Sequence, residues 1–244
     1  MADMPVALVT GADRGLGLSI TRGLLERCWC VFAGRILRDY ALLDDLKKAY
    51  PQTLHPVWLD VSREADILAV RDEIAHKAGK LDLFINNAAL MGGNGCAEIG
   101  GENPVDYDAM EVSFRINALA APVLVDRMLP LLEKGEMKRL FFTSSEISSV
   151  RLMARVGDMR YAMSKTALNL GVRMLWNSLR PRGYTFRLYQ PGWMKRVMPD
   201  GSRAPGAMVD PDDSAAEALR QMLSDRLDED RLVLVDYLGH ELSF

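Results

Sequence analysis

Short apolar runs alternate with stretches of helical spacing from one end of the chain to the other. Val6-Ala7-Leu8-Val9-Thr10 predicts a buried strand that runs into a glycine-rich turn at Gly11. Leu16, Ile20 and Leu24 recur at helical spacing and predict a helix from about Leu16 to Glu26. The same beat then repeats. Strands are predicted over Cys28–Gly34, His55–Leu59 and Leu81–Ile85, with helices over Tyr40–Ala49, stopped by Pro51, and Ala65–Lys77, closed by Gly79. In the second half the helices lengthen. Tyr107–Leu132 reads as one long helix adjusted around Pro122, Tyr161–Leu179 as a second ending before Pro181, and Asp213–Leu223 as a third. Strands are predicted at Lys138–Ser144, Thr185–Tyr189 and Leu232–Val235.

Strand and helix in unbroken alternation imply a parallel sheet of about seven strands with helices on both faces, a doubly wound Rossmann-type α/β fold. No linker, repeat or low-complexity run divides the chain, so residues 1–244 are expected to form one domain. The segment 191–211 is rich in Gly, Pro and Met and reads as a loop able to cover a site. In such sheets ligands bind beyond the carboxyl ends of the strands, where strand order reverses, so chemistry is expected just after strands.

Composition narrows the possibilities. The chain has 244 residues, of which 49% are hydrophobic and 26% charged, enough to bury a core without disulfides or metal. A net charge of −3 offers no basic surplus for a phosphate backbone, which argues against nucleic acid as a partner. No apolar run approaches a membrane span, and the start lacks the pattern of a signal peptide, so a cytoplasmic protein is expected. Three cysteines, Cys28, Cys30 and Cys96, cannot all pair, which fits a reduced compartment. Cys28 and Cys30 fall on one face of the second predicted strand, with no second pair to complete a zinc site. His55, His76 and His240 are scattered, and no metal is expected.

The chemistry does follow the strands. Thr10-Gly11-Ala12-Asp13-Arg14-Gly15-Leu16-Gly17 comes directly after the first strand. Glycines at 11, 15 and 17 allow backbone to approach a pyrophosphate, and the helix start beyond them supplies free N–H groups and partial positive charge. Tyr161 and Lys165 stand at i and i+4 on a helix, so they project from one face. A free phenol has a pKa of about 10, and lowering it by ~3 units takes about 4 kcal/mol. One ammonium roughly 4 Å away, at an effective dielectric of ~20, supplies that much. The pairing therefore predicts an activated tyrosine.

Thr-Gly-x-x-x-Gly-x-Gly resembles the cofactor loop of classical short-chain dehydrogenases/reductases, and three further matches come in order along the chain. Asn86-Asn87-Ala88-Ala89 resembles that family's Asn-Asn-Ala-Gly with the last glycine replaced, Tyr161-Ala162-Met163-Ser164-Lys165 its Tyr-x-x-x-Lys, and Pro191-Gly192 its Pro-Gly. Ser144-Ser145-Glu146-Ile147-Ser148-Ser149-Val150 and Tyr237-Leu238-Gly239-His240-Glu241-Leu242 are similar to segments of the sniffer-like and C-factor-like carbonyl reductases. The resemblance implies that Tyr161 transfers the proton at the substrate oxygen and that Lys165 holds the nicotinamide ribose. It implies that a serine binds the same oxygen. Ser148 fits one common spacing from the tyrosine, and Ser145 fits the strand end and the longer spacing of this branch; Ser145 is preferred. Asn117 takes the place of the fourth catalytic residue, which holds a water against the lysine. Thr10, Gly11, Asp13, Leu16, Asn87, Ala88, Pro191 and Gly192 become cofactor contacts, and Asp60-Val61 an adenine contact.

Cofactor choice turns on the residues just after the second strand. Gly34 stands where an NAD enzyme places an acid for the ribose 2′-hydroxyl, while Arg35 and Arg14 suit a 2′-phosphate. NADP(H) is therefore expected over NAD(H), with Asp39, the alternative ribose ligand, expected to cap the next helix instead. Arg196 stands where the family carries a threonine after Pro-Gly. The implied activity is interconversion of a carbonyl and an alcohol, and the implied partner is a small molecule. A cofactor-binding regulator or scaffold is the rival reading, and an extended-family epimerase or dehydratase lacks room for its substrate domain. The resemblance also implies a dimer or tetramer built through the long helices.

Overall fold

A computed structural model describes residues 4–91, 99–100 and 104–244. Cys96 lies outside them. Eight strands form one sheet in the order β3-β2-β1-β4-β5-β6-β7-β8. They are β1 (Val6–Val9), β2 (Cys30–Arg35), β3 (Leu54–Trp58), β4 (Leu83–Asn86), β5 (Arg139–Thr143), β6 (Thr185–Gln190), β7 (Leu234–Asp236) and β8 (Glu241–Leu242). The first seven pair in parallel, and β8 returns antiparallel on β7 through a tight turn at Gly239. That eighth strand goes beyond the seven expected. It has only two residues, too few to show a period of their own.

Between the strands lie α1 (Gly15–Leu25), α2 (Leu42–Ala49), α3 (Glu64–Lys77), α4 (Tyr107–Phe114), α5 (Ala120–Leu132), α6 (Met159–Leu179) and α7 (Pro211–Leu223). Alternation along β1 shows how both faces are filled. Val6 and Leu8 enter a core shared with α3, α5 and α6, whereas Ala7 and Val9 enter one shared with α1, α2 and α7. Because both faces are covered, the strands carry continuous apolar runs rather than a polar side. Strand order reverses between β1 and β4, and that crevice receives the glycine loop after β1, the turn after β4 and the lid segment 191–211.

Several expectations change at element ends. The long helix is not bent at Pro122. Its irregularity is a π-turn at Arg115–Leu119, which joins α4 to α5 and contains Asn117. Cys28 does not lie on a strand: it sits exposed in a left-handed turn at φ 61°, and only Cys30 is a buried strand residue. Asp39 does not cap α2, whose first flanking residue is Ala41, without any side-chain cap. No helix among the described residues is long and apolar enough to cross a membrane. Nor do any three described His, Cys, Asp or Glu residues cluster as metal ligands would.

Candidate active site

The glycine loop is held from beneath by residues just after β4. Thr10 Oγ1 accepts hydrogen bonds from the amides of Asn87 and Ala88, both at 2.9 Å. Asn87 Nδ2 donates to the carbonyls of Thr10 and Gly11, both at 3.0 Å. Asn87 thus braces the loop. Two glycines are dictated by this closeness. A Cβ at Gly17 would stand 2.2 Å from the Gly11 carbonyl oxygen, and one at Gly11, where φ is +65°, would stand 2.9 Å from Ala88 Cα. The side chain of Arg14 does not cap α1, so the helix start opens onto the crevice. A shallow cradle ringed by backbone amides at a helix N-terminus fits a pyrophosphate. Leu16 is buried beneath it, and Gly192 (φ +80°) has no room for a Cβ beside Val209 and Tyr237.

The basic residues around the end of β2 make contacts within the protein. Arg35 Nη1 pairs with Asp44 at 2.5 Å, and Nη2 donates to the carbonyls of Leu37 and Tyr40. Its guanidinium is therefore already engaged. Asp13 is buried and accepts from the amides of Ile36 and Leu37, tying the glycine loop to the turn after β2. Arg14 donates to the Tyr40 hydroxyl and, at 3.4 Å, to the Val197 carbonyl of the lid. The exposed guanidinium in this turn belongs to Arg38, 5.1 Å above the Trp58 ring. Asp60 accepts from the amide and hydroxyl of Ser62, with Val61 buried beside it. Arg196 is exposed on the lid.

At the carboxyl end of β5 the remaining groups converge. Lys165 is 1% exposed and donates to the Thr143 carbonyl at 2.8 Å, with its ammonium 5.8 Å from the centre of the Tyr161 ring. Ser145 stands near enough to Tyr161 for its hydroxyl to ease ionisation of the phenol. Ser148, the other serine considered, is buried and donates instead to the Ser145 carbonyl at 2.5 Å. Asn117 spends its side chain on structure: Nδ2 donates to the Leu90 carbonyl, Ser164 Oγ and Ser113 Oγ, and Oδ1 accepts from the Leu90 amide at 2.7 Å. Both N–H groups of that side chain are thus spent within the protein, tying the π-turn to the segment after β4 and to α6.

Residues 5–205 match the short chain dehydrogenase family. The chain belongs to that family. It is 37% identical over 142 residues to the C-signal protein of Myxococcus xanthus, a stretch spanning 58% of this chain and 80% of that one. Its fold matches the NADPH-bound carbonyl reductase from chicken fatty liver with a TM-score of 0.84, at 25% identity over 99% of both chains. It also matches the carbonyl reductase Sniffer of D. melanogaster with a TM-score of 0.86, at 24% identity over 99% of this chain and 100% of that one. As a short-chain dehydrogenase it is an oxidoreductase.

Electrostatics in this dehydrogenase run against the simple Tyr–Lys picture. Burial, reinforced by the nearby charge of Asp158, pushes the Tyr161 phenol up to about 12, and the Ser145 hydroxyl pulls weakly the other way. Burial brings Lys165 down to about 8. The cost of desolvating a phenolate is the largest influence on Tyr161. Burial thus works against the activation that the helical spacing predicts. Arg38, Ser164 and Asn169 went unnoticed in the sequence. The only cues were a second arginine close after Arg35 and polar residues at positions of α6 where a core helix carries apolar ones.

Gly17→Ala is expected to cost roughly 1–3 kcal/mol of stability in denaturant melts, since the methyl meets backbone and not a movable side chain. Lys165→Met is expected to stabilise the fold below pH 8, where wild type bears the full cost of a buried ammonium. That advantage should fade as pH rises from about 8 towards the ordinary lysine value of 10.5, because the native lysine then loses its proton before the unfolded one does. Thermal melts of both proteins across this window check it; a pH-independent difference would contradict it.

Proposed function

We propose that this dehydrogenase interconverts a ketone or aldehyde with its alcohol using NADP(H), with Tyr161 as general acid and base. The observation that carries the reading is the convergence, at one end of the sheet, of a pyrophosphate-sized glycine cradle with Ser145, Tyr161 and Lys165. When bound, the nicotinamide supplies or accepts the hydride. Gly11, Gly15, Gly17 and the first amides of α1 hold the pyrophosphate, on a loop stiffened by Thr10, Asp13 and Asn87. Ala88, Pro191 and Gly192 wall the crevice, and Asp60 with Val61 borders the adenine end. Arg14 and Arg38 are the basic groups placed to meet a 2′-phosphate, with Arg35 behind them holding the turn. The chicken carbonyl reductase that shares this fold has NADPH bound, which favours the phosphorylated cofactor.

The proton chemistry then belongs to this chain's own residues. Lys165 keeps two N–H donors besides the one given to Thr143, and these would hold the nicotinamide ribose. Ser145 donates to the carbonyl oxygen as charge develops there. Tyr161 hands its proton to that oxygen during reduction and takes one back during oxidation. Since the phenol is protonated and Lys165 loses its proton near pH 8, reduction should hold steady at neutral pH and decline above about 8. Alcohol oxidation should accelerate with pH. The lid presents Trp193, Met194, Met198 and Met208, an adaptable apolar surface suited to a hydrophobic carbonyl.

A second copy of the chain is the partner we place on α6. Met163, Leu170 and Met174 are exposed there, with Leu119 exposed on the π-turn, and Met163 and Leu170 join Met153, Met159 and Phe114 in lining an apolar cavity of about 520 Å³. Neither Tyr161 nor Ser145 lines that cavity. A cytoplasmic setting belongs to the same reading, in keeping with the free thiols of Cys28 and Cys30. The rival reading, a cofactor-binding regulator with little turnover, draws on the similarity to C-signal.

Tyr161→Phe is expected to bind NADPH as wild type does, by fluorescence titration, while losing about a hundred-fold or more in turnover on a panel of aldehydes, ketones and quinones. Full turnover in this variant would overturn the mechanism; NADPH binding without turnover by wild type anywhere on the panel would favour the regulator. Leu170→Glu should convert a dimer or larger assembly to monomer in light scattering, and a wild-type monomer would refute the placement of a second copy.

A further inference from the structure

Beneath the turn that presents Ser145 lies a buried polar chain that no catalytic role accounts for. Ser144 Oγ donates to Asn169 Oδ1 at 2.6 Å, and Asn169 Nδ2 donates to Ser148 Oγ at 2.7 Å. The Ser148 hydroxyl, accepting from that amide, passes its own proton forward to the Ser145 carbonyl at 2.5 Å. All three side chains are at most 4% exposed. The chain is directional. Asn169 sits one helical turn beyond Lys165 on α6, so the amide and the ammonium grip the same stretch of backbone from two heights. Lys165 holds the Thr143 carbonyl, Thr166 Oγ1 donates to the Ser148 carbonyl at 3.0 Å, and Asn169 holds the serines between them.

We infer that Asn169 is a positioning residue that sets Ser145 opposite Tyr161 through the relay Ser144–Asn169–Ser148–Ser145. The inference rests on the reading of Ser145 as the donor to the substrate oxygen. Only one orientation of the amide works. Turned over, its oxygen would face Ser148 and take the hydroxyl proton that the Ser145 carbonyl now receives. An unmade bond at a buried site is costly, so the bond pattern locks the short 3₁₀ turn Glu146–Ser148 and, with it, the Ser145 side chain. A helix position that elsewhere carries a core apolar residue thus carries an amide because the active-site turn needs both of its ends.

Two variants test this. Asn169→Leu keeps the volume and removes the relay, and Ser148→Ala removes only its last link and keeps α6 intact. In the protein without cofactor, hydrogen exchange of the amides of Ile147, Ser148 and Ser149 should quicken at least ten-fold in both. With NADPH and the same carbonyl panel, each should lower turnover by between about ten- and a hundred-fold, with NADPH affinity unchanged. In the Ser145→Ala background neither should lower it further, because both act through Ser145. Unchanged exchange in both variants would overturn the clamp. Faster exchange with unaltered turnover, or losses that add to that of Ser145→Ala, would overturn the positioning role. Were Ser145→Ala itself to keep full turnover, the reading of Ser145 would fall while the exchange result still decided the clamp.

Discussion

One hydrogen bond joins the scaffold to the chemistry: the buried ammonium of Lys165 on α6 donating to the Thr143 carbonyl at the end of β5. It fixes how far α6 advances over the sheet, and so where Tyr161, one turn earlier, meets the Ser145 turn. It also keeps a charge in a place from which solvent is excluded, which the fold offsets with apolar packing of Leu168 and Val172 on the same helix. The remaining polar groups of α6 extend this joint. Ser164 reaches the π-turn through Asn117, and Asn169 reaches the serines after β5. A helix docked by apolar contacts alone slides at little cost; one keyed by several directional bonds does not.

Enclosure has a second effect, on proton affinity. The same burial that makes the lysine bond directional raises the phenol of Tyr161 and lowers Lys165, so both groups favour their neutral forms. Asp158, held at φ 65° at the start of α6, biases the tyrosine further towards its protonated form. The proton affinity of both groups is thus tied to how dry the crevice is.

Much of the fold was legible in the chain because its signals are local. The glycine loop must be glycine wherever backbone approaches backbone, and β1, β4 and β5 show the apolar runs of strands covered on both faces. Tyr161 and Lys165 announced themselves by helical spacing. The features that escaped notice depend on tertiary placement. The engagement of Arg35 by Asp44, the left-handed turn at Cys28 and the π-turn around Asn117 arise from partners far away or from chain geometry without a residue signature. The tyrosine's proton affinity escaped for the same reason, since spacing reveals a neighbouring charge but not the loss of water around it. Asn169 carries no signal of its own along the chain and becomes intelligible only with Ser144 and Ser148 beside it.

The proton chemistry rests above all on burial keeping Tyr161 protonated through the neutral range. A pH titration of the tyrosinate absorbance, taken as the difference between wild type and Tyr161→Phe without cofactor, measures this directly. The expected trace is a flat difference through neutrality, with Tyr161 ionising only well above the ordinary tyrosine value of 10. A tyrosinate that appears in wild type alone near pH 7 would contradict it.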